Sequence, residues 1–176
     1  HTHLSMASET LRAGCDVLLE KPPVLTLAEH HSLAAVLDET GLACQVGFQA
    51  LGSAALARLV EAISAGQLGV VKSIGVAGSW QRDDAYYARS PWAGRRSLDG
   101  QPVLDGALAN PFAHAVMQAL AIARACTPQW RPRMVEVERY RTRQIEVDDT
   151  ACLRITLDSG LPLTIAVTLC GEDFIA

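Results

Sequence analysis

Apolar residues recur along the first third of the chain with a helical period that is twice interrupted by short unperiodic runs. Leu4, Ala7 and Leu11 are spaced i, i+3, i+7 and Gly14 follows, which predicts a helix over residues 4–13. Val17, Leu18 and Leu19 have no helical period and lie between Gly14 and the pair Pro22-Pro23, so they predict a short buried strand. Thr26 followed by Glu29 is a capping box that opens a second helix. Its buried stripe is Leu33, Val36, Leu37 and Thr40, its end is Gly41, and His30 and His31 fall off the stripe as solvated residues. Residues 43–48 predict a second strand, and Ser53 begins a third helix with Leu56, Leu59, Val60 and Ile63 on its apolar face. Helix alternating with strand predicts parallel pairing in an α/β unit.

Beyond Gly69 the period changes. Residues 70–79 predict a strand. Residues 80–100 are polar, aromatic and turn-rich with no sustained period, which predicts a long loop. Trp80, Arg82, Tyr86, Tyr87 and Arg89 within it could offer guanidinium and hydroxyl donors to a ligand, and the same composition suits a mobile surface loop. Val135 and Val137 alternate with Glu136 and Glu138, a half-exposed strand pattern. Ala151, Leu153, Ile155 and Leu157, then Leu161, Leu163, Ile165, Val167 and Leu169, alternate with polar residues on either side of Asp158-Ser159-Gly160. That is an antiparallel hairpin with one apolar face.

The chain has 176 residues, enough for one large domain or two small parts, and its 49% hydrophobic content supports a sizeable core. The net charge of −4 with no basic run argues against nucleic acid as the main partner. Cys15, Cys44, Cys126, Cys152 and Cys170 are widely spaced with no CxxC pair, so no metal is expected and reduced thiols point to a cytoplasmic setting. No apolar run reaches the roughly 18 residues that a membrane span needs, so no membrane partner is expected.

Candidate chemistry begins at Glu20 and Lys21, which end the first strand on the rim where open parallel sheets bind ligands. Pro22 removes a backbone donor and Pro23 restricts Pro22, so the Lys21 backbone is held. A Glu-Lys pair before prolines is also a common solvated turn. Gly47-Phe48-Gln49 ends the second strand on the same rim.

The run from Leu11 through Ala13-Gly14 to Glu20-Lys21-Pro22-Pro23, then Leu25-Thr26-Leu27-Ala28-Glu29 and Val46-Gly47-Phe48, resembles the Gfo/Idh/MocA family of nicotinamide-dependent oxidoreductases. The resemblance implies a fold of α/β plus α+β type. Residues 1–68 would be the remainder of a Rossmann-type parallel sheet, and residues 69–176 a mixed or antiparallel sheet domain with helices on one face, itself incomplete. No G-x-G-x-x-G loop occurs, so the chain is expected to open inside the nucleotide-binding domain. Gly106 through Asn110 to His114 is similar to the family pattern Gly-x-x-x-Asp-x-x-x-His, with Asn110 where the family has Asp.

The resemblance implies Lys21, His114 and Asn110 as catalytic residues, and His3, Glu20, Lys21 and Gln49 at an NAD or NADP cofactor. It implies Trp80, Arg82 and His114 at a sugar or polyol substrate, and a homodimer or higher homo-oligomer formed by the outer sheet face. His1-Thr2-His3 would form a strand-to-helix turn near the cofactor. Each residue also has a plain role: Asn110 before Pro111 suits a helix N-cap, and His114 suits a core histidine. A non-catalytic binding or oligomerisation module of the same fold is the alternative function.

Overall fold

The computed structural model describes residues 2–175, with side chains as far as Glu172; His1 of the expected N-terminal turn lies outside the described residues. α1 (His3–Arg12) buries Ala7 and Leu11, and Gly14 reverses the chain at φ +88°. β1 (Val17–Leu19) then pairs in parallel with β2 (Cys44–Val46), Val17 opposite Cys44 and Leu19 opposite Val46. Between them runs α2 (Leu27–Thr40). The Thr26 hydroxyl accepts from the Glu29 N–H at 3.1 Å, and the Glu29 carboxylate accepts in return from the Leu25 N–H at 2.6 Å. Gly41, at φ +66°, closes the helix. Ala7, Leu11, Leu19, Leu33 and Val36 form the core of this small α/β unit.

Two expectations change here. β1 is buried on one face only, and Leu18 is 80% exposed, because α1 and α2 cover the face that carries Leu19 and alternate residues point away. β2 ends at Val46 rather than Phe48, since the Phe48 N–H turns back to the Val46 carbonyl at 2.7 Å and a 3₁₀ turn, Gln49–Gly52, follows. α3 (Ala54–Ser64) follows directly on Ser53, its N-cap residue, where the sequence places its start.

The second unit is a five-stranded mixed sheet of order β6-β7-β8-β3-β9: β6 (Pro132–Tyr140), β7 (Thr150–Leu157), β8 (Pro162–Thr168), β3 (Ile74–Gln81) and β9 (Cys170–Ile175). β3 runs parallel to β8, and the other pairs are antiparallel. Leu157, Leu163, Ile165, Val167 and Leu169 are almost fully buried beneath α5 (Ala113–Cys126), and α3 packs against α5. The expected β7–β8 hairpin is present, with Gly160 at φ +84° in its turn.

Four details differ from the sequence-based expectation. β3 begins at Ile74, opposite Leu163, because β8 starts at Pro162 and leaves earlier residues without a partner; Val70 is 77% exposed. Residues 80–100 are not a structureless loop. β3 runs through Gln81, Asp83 caps the short helix α4 (Asp84–Ala88), and β4 (Ser97–Leu98) pairs with β5 (Gln101–Pro102) around Asp99-Gly100, both at positive φ. All nine residues of β6 are exposed, since it is the sheet edge and α5 stops short of it. Asn110 is not the helix cap. The Asn110 N–H bonds to Gly106 O and the Phe112 N–H to Ala107 O in a turn that delays α5 to Ala113.

Gly78 on β3 lies directly against Phe112 at the start of α5. A Cβ there would lie 2.3 Å from Phe112 Cε1, and the Phe112 ring is 3% exposed and held against Trp80 at 4.7 Å. Gly78→Ala is expected to destabilise the fold by about 1–3 kcal/mol by overpacking. Gly75→Ala, where a Cβ meets nothing within 4 Å, is the control and should unfold at or slightly above the wild-type denaturant midpoint.

Candidate active site

Lys21 leaves the carboxyl end of β1 and crosses to the turn before α5. Its Nζ donates to the Asn110 carbonyl at 2.8 Å and to Asn110 Oδ1 at 2.5 Å. An ammonium has three donors, so one N–H has no partner among the described residues. Asn110 Nδ2 donates to Asp105 Oδ1 at 3.0 Å, and Asp105 Oδ2 accepts from the Gly94 N–H at 2.7 Å. Asp105 is 9% exposed.

Glu20 lies beside Lys21. Its Oε2 accepts from the Lys21 N–H at 3.3 Å, and its carboxylate rests on Gly47, where a Cβ would stand 3.2 Å from Oε1. The Gly47 N–H donates to Leu19 O at 2.8 Å, which joins the two strand ends. His3 Nδ1 donates to Pro22 O at 2.7 Å, which ties the start of α1 to the same rim. A cleft of about 250 Å³ opens between these parts, lined by Thr2, His3, Glu20, Lys21, Trp92 and Asn110 among others.

His114 lies in the first turn of α5, with its ring edge-on to Phe48 at 5.7 Å between centroids. It does not line the cleft, yet Lys21 and Glu20 are its charged neighbours. Burial and the Lys21 ammonium lower its pKa against the opposing pull of Glu20. Burial also lowers the Lys21 pKa, opposed by Glu20 and Asp105 and assisted by Arg89. His114 Nδ1 is buried with no hydrogen-bond partner among the described residues.

Of the expected site residues, His3, Glu20, Lys21 and Asn110 meet at the cleft and His114 stands next to it. Gln49 is exposed at the head of the 3₁₀ turn and does not line the cleft, because the chain turns outward at Phe48. Trp80 and Arg82 are also outside it. The Trp80 ring packs on Phe112, and the Arg82 guanidinium lies between the Trp80 and Tyr86 rings at 5.0 and 4.7 Å. Asp105 and Trp92, which line or support the cleft, are not among the expected site residues. A signal for Asp105 existed, since a carboxylate between Val103-Leu104 and Gly106-Ala107-Leu108 sits in an apolar run where burial is costly unless it is bonded.

Residues 1–48 match the model of the Gfo/Idh/MocA oxidoreductase family, described as an NAD-binding Rossmann fold. The resemblance to the Gfo/Idh/MocA oxidoreductases holds. Beyond residue 48 the likeness is one of fold, and no protein of curated function matches the chain in sequence. The WlbA dehydrogenase of Bordetella pertussis, solved with NADH and UDP-GlcNAcA, is 25% identical with a TM-score of 0.81, over 98% of this chain and 50% of that one. An inositol dehydrogenase homolog of Azotobacter vinelandii, solved with NAD⁺, is 17% identical with a TM-score of 0.79, over 99% and 44%. The aldose-aldose oxidoreductase of Caulobacter crescentus, solved with glycerol, is 21% identical with a TM-score of 0.77, over 96% and 48%. The chain thus spans about half the length of these structures. Among the described residues, no group of three or more His, Cys, Asp or Glu could hold a metal ion, and no helix is long and apolar enough to cross a membrane.

The lowered His114 pKa keeps its ring neutral near neutral pH, the form that accepts a proton. Because the unfolded chain binds this proton more readily, the group makes stability fall as pH drops below the ordinary histidine value. In NMR titration the His114 ring is expected to titrate below the ordinary histidine value. Lys21→Met, which removes a neighbouring positive charge, should move the His114 midpoint upward, and an unmoved midpoint would show that Lys21 does not act on the ring.

Proposed function

We propose that this chain carries the catalytic centre of an NAD(P)-dependent oxidoreductase that interconverts a hydroxyl and a carbonyl on a sugar, polyol or related small molecule. Residues 1–68 are read as the remainder of the dinucleotide-binding part and 69–176 as the sheet part. The observation that carries the reading is Lys21 Nζ, fixed by two bonds to Asn110 and left with one uncommitted N–H on the cleft. A family match to NAD-binding proteins over residues 1–48, and relatives solved with NADH or NAD⁺, support the nicotinamide. Relatives solved with a nucleotide sugar or glycerol support the substrate class.

The cleft, at about 250 Å³, suits a single ring and a small substrate better than a whole dinucleotide. His3, Glu20 and Lys21, gathered on the β1–β2 rim, would hold the nicotinamide end. A nicotinamide bound there supplies hydride acceptance and donation. Lys21 would donate its remaining N–H to the substrate oxygen and stabilise negative charge on it. Neutral His114, beside Lys21, would take the hydroxyl proton as general base. Asn110 accepts from Lys21 and so orients the ammonium without itself accepting a proton. The competing reading, a non-catalytic module of the same fold, draws on Asn110 standing in place of the family's Asp. The five free cysteines support a reducing compartment such as the cytoplasm.

The test is formation of reduced nicotinamide by the full-length protein with NAD⁺ or NADP⁺ against a panel of sugars and polyols. Lys21→Met is expected to lower kcat by about a hundredfold or more, the effect of removing a donor aimed at developing charge. Absence of turnover across the panel would favour the non-catalytic module, and a fully active Lys21→Met would remove Lys21 from the catalytic centre.

We further propose that the sheet face opposite α5 forms a homo-oligomer contact. Thr164, Ala166 and Arg154 are exposed on it, with Thr150 and Thr168 joined by their hydroxyls at 2.8 Å. Such a flat face rich in small and β-branched residues suits face-to-face packing about a two-fold axis. In light scattering, Thr164→Lys with Ala166→Lys is expected to reduce the mass toward the monomer, and an unchanged mass would sink the proposal.

A further inference from the structure

Asp105 is a buried carboxylate with no ion pair among the described residues. Its partners are two neutral donors, the Gly94 N–H at 2.7 Å and Asn110 Nδ2 at 3.0 Å. An isolated buried charge is costly, so a compensating cation is to be expected close by. Across the Asn110 amide stands Lys21, 2.5 Å from Oδ1. The two ends of that amide cannot be exchanged. An ammonium only donates and an ionised carboxylate only accepts, so Oδ1 must face Lys21 and Nδ2 must face Asp105. Asp105 cannot swing aside either, because its second oxygen holds the buried N–H of Gly94.

Resting on the oxidoreductase reading above, we propose that Asp105 is a positioning residue for Lys21, acting through the Asn110 amide. The chain Gly94, Asp105, Asn110, Lys21 carries one negative and one positive charge separated by a single side-chain amide. Burial opposes the charged ammonium, as does Arg89, while Glu20 and then Asp105 support it. With Asp105→Asn, the new amide keeps Gly94 by its oxygen and presents its NH₂ to Asn110. Asn110 must then turn its own oxygen toward position 105 and its NH₂ toward Lys21, donor against donor. The swap Asp105→Asn with Asn110→Asp restores every polarity. The amide introduced at position 105 accepts from the Gly94 N–H and donates to the new carboxylate at position 110, which accepts from Lys21.

The test reads Lys21 directly. The chain has two lysines, Lys21 and the exposed Lys72, so ¹³Cε-lysine NMR gives one reporter and one internal control. Asp105→Asn should make Lys21 titrate lower than wild type, and the swap should bring it back to wild type or above, with Lys72 unmoved throughout. In the full-length protein the kcat of Asp105→Asn is expected to fall about tenfold to a hundredfold with KM nearly unchanged, as for a misplaced catalytic group, and to recover toward wild type in the swap. An unmoved Lys21 titration in Asp105→Asn, or a swap that stays at the Asp105→Asn value, overturns the proposal. Should Asp105→Asn not fold, a Lys21 titration below wild type in the swap overturns it alone. If Lys21 moves as expected while no panel compound turns over, the oxidoreductase reading fails and the positioning stands. Turnover with Lys21 indifferent to Asp105 is the reverse result.

Discussion

The structure depends on one ammonium reaching across a seam. Lys21 starts just past the carboxyl end of β1 in a two-stranded parallel sheet and finishes on the backbone and side chain of Asn110, 89 residues later, at the entry to α5. Two hydrophobic cores stand on either side, one around Leu11 and Leu33 and one around Leu163 and Ile165. Lys21 is a polar tie between them, and the cleft lies where it crosses. Hydrogen bonds to a charged group are worth more than neutral ones, and losing one partner would leave the other half-buried and unpaired.

Around that tie the charges alternate. Burial and Arg89 work against the Lys21 ammonium while Glu20 and Asp105 favour it, and burial together with Lys21 holds the His114 ring toward its neutral form. A cation with one free donor beside an imidazole that resists protonation is a pairing suited to moving a proton to or from a hydroxyl. The Arg82 and Arg89 guanidiniums, by contrast, are spent on aromatic faces, Arg82 between Trp80 and Tyr86 and Arg89 over Tyr86 at 3.6 Å. They build the wall of the loop region rather than the floor of the cleft.

Much of the local structure was legible from residue order. The Thr26–Glu29 capping box, Gly41, the Asp158-Ser159-Gly160 turn and the period-two run through Leu169 act over a few residues, and each appears where its chemistry predicts. The Glu20-Lys21-Pro22 rim and the Asn110 to His114 spacing were also visible, since strand ends and four-residue spacings are local patterns. The errors fell where a partner strand or a covering helix decides the outcome. Val135 and Val137 read as half-buried, yet β6 is an uncovered edge, and periodicity cannot say what lies above a face.

What the sequence alone determined, then, is the alternating helices and strands of the first third, the β7–β8 hairpin and the rim residues, because caps, turns and alternation are short-range. Only the tertiary structure decided that Asn110 gives up the capping role to face Lys21 and Asp105, that Asp105 is buried, and that Gln49, Trp80 and Arg82 stand outside the cleft. Those outcomes depend on contacts between residues far apart along the chain. Whether an amide caps a helix or bridges two opposite charges is settled by which groups the fold brings within about 3 Å of it, and residue spacing carries no record of that distance.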